Sequence, residues 1–284
     1  MRPWLPVVLA AVLLAVSGAS ALAIPSLGGP TGIALLPTAK IAPVNEWQTA
    51  VGYRSFTTTY MYAFEDVDMS LWTFSALKGV ASDAELWIAY TRGSNGEDTD
   101  IWEYGGKYLL SERLLPRTGF LAGTDIAIGA SLGRWADALT DADPLLPFYT
   151  DTETLRAYFV VTTQLVPGDA GDWEWGTAPS TRIIGTAGIL YLRVDPDALD
   201  SDTLFRPFLG VEVIGQNDLT LALEYRFKDS GIEDDALFSA LIRYPIDRST
   251  SLEVGLSNAS PIGLALGEED LFVRLGYSFP VSTY

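Results

Sequence analysis

The chain has 284 residues and a formal net charge of −18, yet only 19% of its residues are charged and its mean hydropathy is +0.20. Acidic and apolar residues must therefore be segregated along the chain, as they are in proteins that lie partly in a membrane. The acidic balance argues against nucleic acid as a partner, because a phosphate backbone attracts Lys and Arg. The sequence has no Cys and no His, which excludes disulfides and His-dependent hydrolases and predicts that the protein is not an enzyme.

The first 23 residues have the features of a cleaved signal peptide. Arg2 supplies a positive charge, residues 4–16 are all apolar, and small residues follow up to two Ala-x-Ala sites. We favour cleavage after Ala23, which leaves residues 24–46 as a periplasmic N-terminal segment; an uncleaved anchor helix is the alternative. No later stretch approaches the roughly 18 apolar residues that a spanning helix needs. A mature chain in a membrane therefore has to cross it as strands.

Residues 47–284 repeat stretches of about ten residues with alternating apolarity, each followed by a turn or a polar loop, which is typical of an outer-membrane barrel. In residues 219–227 the odd positions are apolar and the even ones are polar or small, so one face suits lipid and the other a wet lumen. The alternation recurs near residues 47–54, 102–110, 125–132, 155–165, 205–213, 251–257 and 271–279, and less regularly in 69–77, 84–92, 181–193 and 236–244. In 84–92 it places Trp87 on the same face as Glu85, which alternation does not explain.

The predicted fold is therefore all-β, a transmembrane antiparallel up-and-down β-barrel of about 12 strands. A soluble secreted β-sandwich, such as a lectin, shares the alternation and stays an alternative at this point. The chain ends in an aromatic strand, and we expect Phe279 or Tyr284 to be the residue that the barrel-assembly machinery recognises.

The predicted inward-facing rows carry charges of both signs. They comprise Arg54, Glu103, Lys107, Asp125, Arg156, Glu212, Glu224, Arg226, Glu253 and Arg274. Two interpretations stay open: a network that braces the wall, since charges in the lumen must be paired or hydrated, or the lining of a narrow channel that selects small polar solutes. About twelve strands give a smaller bore than the roughly 16 to 18 strands of a porin, which argues against bulk diffusion.

The connections between strands sort the acidic residues to one end of the barrel. If the first strand runs outward, the outer connections are 57–68, 93–100, 135–153, 194–203, 228–235 and 258–270, and they hold 22 of the 36 acidic residues with Lys228 as their one basic residue. Short inner turns with longer outer loops are usual in barrels of the outer membrane. The connection 166–180 is long although it should be an inner one, so either it folds against the membrane interface or the strand count is wrong by two there.

Two acidic clusters in the outer connections are candidates for weak, shared Ca²⁺ binding. They comprise Asp195, Asp197, Asp200 and Asp202, and Glu233, Asp234 and Asp235. Ca²⁺ accepts several carboxylate oxygens in flexible geometry, but the spacing matches no EF-hand loop. Simple solvation of these charges is the alternative, and no other cofactor is expected.

Several short motifs resemble the YjbH-type outer-membrane β-barrel proteins. They are Thr31-Gly32-Ile33, Pro37-Thr38-Ala39, Pro43 and Gly52-Tyr53 near the N-terminus, then Leu77-Lys78-Gly79-Val80, Ala84-Glu85-Leu86, Leu223-Glu224-Tyr225 and the closing Leu275-Gly276-Tyr277-Ser278-Phe279. The resemblance covers most of the mature chain in short, single-barrel form. It implies a role in the bacterial envelope linked to exopolysaccharide export, and it transfers no catalytic residue.

The function expected from the sequence is an outer-membrane barrel that forms a narrow channel or an accessory barrel for exopolysaccharide or small solutes. The expected partners are outer-membrane lipid, the barrel-assembly machinery and a polysaccharide or small solute. A closed structural or adhesive barrel that acts through its acidic loops is the alternative within the same fold.

Overall fold

The protein is a closed barrel of twelve strands, each antiparallel to its neighbours in sequence, with β1 paired to β12. The computed structural model describes residues 32, 34–44, 46–59, 66–94, 98–110, 123–137, 152–166, 181–196, 201–215, 218–228, 235–247, 249–259 and 265–280. The predicted signal peptide, residues 1–23, lies outside them. Among the described residues, no helix is long and apolar enough to cross a membrane.

The strands follow one another around the barrel in chain order. They are β1 Glu46–Thr59, β2 Asp66–Ala81, β3 Ala84–Ser94, β4 Asp98–Leu109, β5 Thr124–Asp137, β6 Thr152–Val166, β7 Arg182–Pro196, β8 Asp202–Ile214, β9 Thr220–Arg226, β10 Leu237–Pro245, β11 Thr250–Ala259 and β12 Ala265–Pro280. The predicted all-β, up-and-down barrel is confirmed. β6 pairs directly with β7, so no described strand separates them in the barrel wall, and residues 167–180 of the long connection lie outside the described residues.

Several strands extend into segments predicted as outer loops. β2 begins at Asp66 and β12 at Ala265, both within predicted connections. The sequence pattern follows apolar residues and therefore ends where contact with lipid would end. The hydrogen-bonded ladder has no such limit and continues into the polar part of the chain.

Side chains on the strands alternate between an exposed apolar outer face and a buried inner face. In β9, Leu221, Leu223 and Tyr225 are 41–51% exposed, whereas Glu224 and Arg226 are almost fully buried. The same division holds for the exposed outer residues of the other strands, which include Val51, Phe74, Ile88, Trp102, Tyr104, Ile128, Phe159, Leu209, Val254 and Leu271. The largest apolar side chains on the barrel surface thus face away from its interior, as they do in barrels surrounded by lipid.

We use "the β1 rim" for the end of the barrel at which β1 begins. The β2–β3 turn at this rim is only two residues long, and Asp247 closes the β10–β11 turn, where its Oδ1 accepts hydrogen bonds from the backbone N–H groups of Ser249 and Thr250 at 2.6 and 2.8 Å. These two turns are short and place consecutive strands in register.

The described part of the N-terminal segment, residues 32 and 34–44, lies inside the barrel and not in the periplasm, where the sequence led us to expect it. Val44 pairs with Gly79 in a parallel bridge at the β1 rim, and from there the chain runs back into the lumen. Ala34, Ala39 and Ala42 are at most 2% exposed. The physical reason is that buried carboxylates on the inner wall need hydrogen-bond donors, and the backbone N–H groups of the segment supply them.

The outer face gives a first testable prediction. Leu223→Arg places a charge on the outer surface of β9, and we expect a loss of about 2–4 kcal/mol in folding free energy if this position lies near the bilayer centre. A urea titration of the protein folded into lipid vesicles measures it. Leu223→Ala is the matched control, because it removes apolar surface and adds no charge. Equal losses from the two substitutions would contradict a lipid-facing position.

Candidate functional site

The ten predicted inward-facing charges all lie on the inner face of the barrel, by burial or by register. Seven are at most 7% exposed: Arg54, Lys107, Glu212, Glu224, Arg226, Glu253 and Arg274. Glu103 and Arg156 are mostly buried, with side-chain exposures of 12% and 16%. Asp125 is half-buried and pairs in register with the inward-facing Thr162. Six of these charges, Glu103, Lys107, Arg156, Glu212, Glu253 and Arg274, take part in ion pairs of opposite sign.

The most buried group joins three neighbouring strands near the β1 rim. Oε1 of Glu253 accepts a hydrogen bond from Nε of Arg243 at 2.6 Å, and its Oε2 accepts one from Nε of Arg274 at 2.7 Å and another from Nη2 of the same guanidinium. Arg243 also lies 3.5 Å from Glu212. Both oxygens of Glu253 are thus engaged, and the four charges largely neutralise one another in the interior.

A second group lies on β4, β5 and β6. Arg156 donates from Nη1 to both carboxylate oxygens of Glu103 at 3.1 Å, and Ser131 donates to the same carboxylate at 2.7 Å. These three bonds join side chains of the wall to one another. The group braces adjacent strands of the wall.

A third group links the wall to the N-terminal segment. Lys107 lies 2.9 Å from Oε1 of Glu85, and both side chains are fully buried. The other oxygen of Glu85 accepts a hydrogen bond from the backbone N–H of Ala42 at 2.9 Å, and Lys107 donates to the carbonyl oxygen of Thr38 at 3.0 Å. One ion pair therefore holds the segment through a donor and an acceptor at once.

The tip of the segment binds Glu224. The backbone N–H groups of Ala34 and Leu36 donate to Oε1 at 2.8 and 2.9 Å, and that of Leu35 donates to Oε2 at 3.0 Å. Three successive N–H groups that converge on one carboxylate form an anion-binding nest. Gly32 and Pro37 pair across the tip in an antiparallel bridge, which holds these groups in position.

Two further contacts complete the attachment. The N–H of Ala39 donates to Oγ1 of Thr162 at 2.8 Å, and Nζ of Lys40 lies 3.5 Å from Oε1 of Glu212. The lysine side chain is 36% exposed, so this ion pair contributes less than the buried bonds. Backbone N–H groups thus make most of the polar contacts between segment and wall.

Apolar side chains surround the middle of the segment. Leu36, Ala39 and Ala42 pack with inward-facing residues of the wall, which include Leu77, Trp87, Leu109, Ala127, Tyr158, Val160, Leu190 and Phe208. Ala34 packs separately against Ala222, Leu241 and Phe272. The lumen near the segment is therefore filled by protein.

The inward position of Trp87, which alternation leaves unexplained, has a clear packing reason. A Cβ on Gly105 of the adjacent strand would lie 2.5 Å from Cζ2 of Trp87, so the ring occupies the space that glycine leaves free. The same arrangement recurs where Tyr158 lies over Gly129, Phe208 over Gly188 and Phe272 over Gly255. Trp87 shares its face with Glu85 because both contribute to the wall around the segment.

Three charged residues of this site, Lys40, Glu85 and Arg243, are absent from the predicted set. Glu85 and Arg243 lie on inner-face positions of their strands, so strict use of the alternation would have included them. Lys40 and the backbone N–H groups of the segment carry no pattern that points to a lumen.

The acidic clusters show no metal site in the part of the chain that the structure describes, where no group of three or more acidic residues is arranged to hold an ion. Asp195 pairs with Arg193 at 2.7 Å, and Asp202 and Asp235 are exposed. The remaining predicted positions, Asp197, Asp200, Glu233 and Asp234, lie outside the described residues, so Ca²⁺ binding stays a prediction.

No protein-family model matches the sequence, and no curated protein matches it. Similar solved structures include the KdgM porin in complex with disordered oligogalacturonate, at 12% identity over 81% of this chain and 99% of that chain with a TM-score of 0.49. An outer membrane channel from Pseudomonas putida F1 has 13% identity over 85% and 98%, with a TM-score of 0.44. The outer membrane phospholipase dimer with bound calcium from Salmonella typhi has 11% identity over 81% and 90%, with a TM-score of 0.44.

These likenesses concern the barrel as a whole, which resembles the barrels of bacterial outer-membrane proteins. They transfer no residue of the inner wall. The resemblance to YjbH-type proteins stays a prediction.

Proposed function

We propose that the chain is an outer-membrane barrel that forms a narrow channel for small polar solutes and that its own N-terminal segment closes the channel reversibly. The observation that carries the proposal is the segment itself, residues 34–44, bound to Glu224, Thr162, Glu85 and Lys107 on the inner wall. The apolar outer face supports the membrane location. Because the sequence has no His and no Cys, we propose no catalytic role.

The way the segment is held supports reversible closure. Its polar contacts are hydrogen bonds of backbone N–H groups, one bond from Lys107 to the carbonyl oxygen of Thr38 and the ion pair of the partly exposed Lys40. Each bond to a charged group contributes about 1.5–3 kcal/mol, and none of the contacts is covalent. A bore that takes a folded-back stretch of peptide also has room for a small solute or a single extended glycan chain once the segment leaves. Passage of exopolysaccharide, which the family resemblance implies, is the narrower form of this proposal.

The charges favour neutral or cationic solutes. The charges of the inner wall are engaged in pairs of opposite sign at Glu253, Glu103 and Glu85, so the wall offers little net attraction to an ion. The outer connections are acidic, and an acidic rim lowers the local concentration of anions.

Conductance of the purified protein in planar bilayers tests the proposal. We expect the full chain to conduct in rare, brief openings, and a chain that lacks residues 32–42 behind an intact signal peptide to conduct continuously with greater permeability to K⁺ than to Cl⁻. Heat-modifiable migration on a gel shows that both chains are folded barrels. A folded, shortened chain that does not conduct would contradict the proposal.

A closed structural barrel is the second candidate, favoured by the apolar cluster around Leu36 and Trp87. Such a cluster stabilises a permanently filled interior. The two candidates differ in the result with the shortened chain, because a structural barrel loses stability without its inner segment and gains no conductance.

A further inference from the structure

The inner wall beside the segment contains polar groups that the segment does not satisfy. Gln48 on β1 is 1% exposed, and neither Nε2 nor Oε1 of its side chain has a hydrogen-bond partner among the described residues. Oγ of Ser251 on β11 is in the same state, with the residue fully buried. A buried amide or hydroxyl without a partner costs about 1–3 kcal/mol. Most buried polar groups in folded proteins have a hydrogen-bond partner, so we expect Gln48 and Ser251 to have one as well.

The two groups lie on opposite sides of β12. Gln48 is opposite Ser278, and Ser251 is opposite Gly276, two residues further from the β1 rim. Two strand spacings and this offset place their Cα atoms roughly 12 Å apart. Gly276 has no side chain to fill the wall between them. The side chains of Gln48 and Ser251 therefore flank a stretch of wall with about the span of one small molecule.

The surroundings define the charge of an occupant. The next inner position beyond Ser251 is Glu253, whose two carboxylate oxygens are engaged by Arg243 and Arg274. Arg243 also lies 3.5 Å from Glu212, so the two arginines on that side are matched by two carboxylates. Towards the rim, Glu46 accepts a long hydrogen bond of 3.4 Å from Ser278, and its carboxylate disfavours anions. Gln48 itself offers one donor group and one acceptor side by side.

From this geometry we infer that Gln48 and Ser251 form a binding niche for a small uncharged solute that carries an amide or hydroxyl group, which both donates and accepts hydrogen bonds. The niche is a solute position on the route through the lumen. Gln48 and Ser251 are buried in the structure, and Leu77, the neighbour of Gln48 on β2, packs against the segment. Occupation by solute therefore rests on the proposed function, in which the segment moves.

The experiment compares acetamide with acetate, which have nearly the same shape but differ in charge and in hydrogen-bond donors. Saturation transfer from the detergent-solubilised protein to each probe is measured by NMR over a concentration series, in the full chain and in a Glu224→Gln chain with a weakened segment. We expect saturable transfer to acetamide and none to acetate. The transfer to acetamide should be larger in the Glu224→Gln chain than in the full chain.

Gln48→Leu is the matched variant, because it keeps the volume of the side chain and removes both polar atoms. We expect it to lower saturable transfer to acetamide at least fivefold, with a thermal midpoint equal to or above that of the parent chain, since the amide has no bond to lose. Ser251→Ala provides a second, smaller change in the same direction. The inference would be overturned by equal transfer to acetamide in the parent chain and both variants. It would also be overturned by the absence of saturable transfer, which would mean that water alone occupies the niche.

The two proposals fail separately. If the shortened chain conducts continuously but saturation transfer does not depend on Gln48, the channel proposal is supported and the binding niche is rejected. If saturation transfer depends on Gln48 but the shortened chain does not conduct, the binding niche is supported and the channel proposal is rejected.

Discussion

Glu224→Gln is expected to release the N-terminal segment and to increase the open fraction of the channel by roughly ten- to a hundredfold. The carboxylate accepts N–H groups from three successive residues of the segment. In a glutamine at this position, the side-chain NH₂ group replaces one carboxylate oxygen and points at a backbone N–H group of the segment. At least one charge-assisted hydrogen bond is therefore lost, and two donors face each other. Hydrogen bonds to a charged group contribute about 1.5–3 kcal/mol, and about 1.4 kcal/mol corresponds to a factor of ten.

Trypsin reports the position of the segment independently of conductance. Lys40 is the one basic residue between positions 24 and 46, and cleavage after it requires the segment to leave the lumen. We expect cleavage at Lys40 to accelerate in parallel with the open fraction. Glu103→Gln is the matched control, because it makes the same change on the inner wall at a side chain bonded to Arg156 and Ser131. Equal acceleration in the control would contradict a specific role of Glu224.

Glu253→Gln is expected to have the largest effect on stability, a loss of about 3–5 kcal/mol in the free energy of unfolding. The substitution leaves the buried guanidinium groups of Arg243 and Arg274 without the carboxylate that neutralises both. Leaving a buried charge uncompensated is far more costly than losing an exposed ion pair. Urea titration in lipid vesicles, followed by tryptophan fluorescence, measures the change.

Glu103→Gln again serves as the comparison for this titration. Its carboxylate pairs with a single arginine, and both side chains retain some exposure to solvent, so we expect a distinctly smaller loss. If the two substitutions cost the same, the burial and double pairing of Glu253 do not determine its contribution.

The barrel was predictable from the sequence because each strand carries its own signal. The period of two along β9 assigns Leu221 and Leu223 to the outside and Glu224 to the inside, and the structure has them so. That signal is local, and it recurs along the chain, although less regularly in β2, β3, β7 and β10. The ends of the strands were less predictable, since hydrogen bonding between strands continues where apolar alternation stops.

The closure of the lumen was not predictable in the same way. Residues 34–44 bind mainly through backbone N–H groups, and every residue except proline has such a group whatever its side chain. The segment is rich in small and apolar residues, which fit an unstructured linker as well as they fit a packed interior. Its partner Glu224 is buried, but its side chain gives no indication in the sequence of what it binds.

The inward aromatic residues show an intermediate case. Trp87 contradicts the simple rule of a polar inner face, and only its pairing with Gly105 on the neighbouring strand accounts for it. That pairing depends on the register between two strands, which neither strand specifies alone. An inward-facing aromatic residue opposite a glycine on the adjacent strand is thus the sequence pattern that indicates a filled lumen.

The location of the segment determines the order in which the protein can assemble. Its polar partners belong to β3, β4, β6, β8 and β9, and Glu224 is 190 positions along the chain from Ala34. The binding surface therefore does not exist until most of the barrel has formed, although residues 34–44 are synthesised and exported before every strand. Contacts so distant in sequence form late, because the intervening chain must first be ordered. Docking of the segment thus follows the assembly of the wall up to β9, and variants such as Glu224→Gln should leave the rate of barrel formation unchanged.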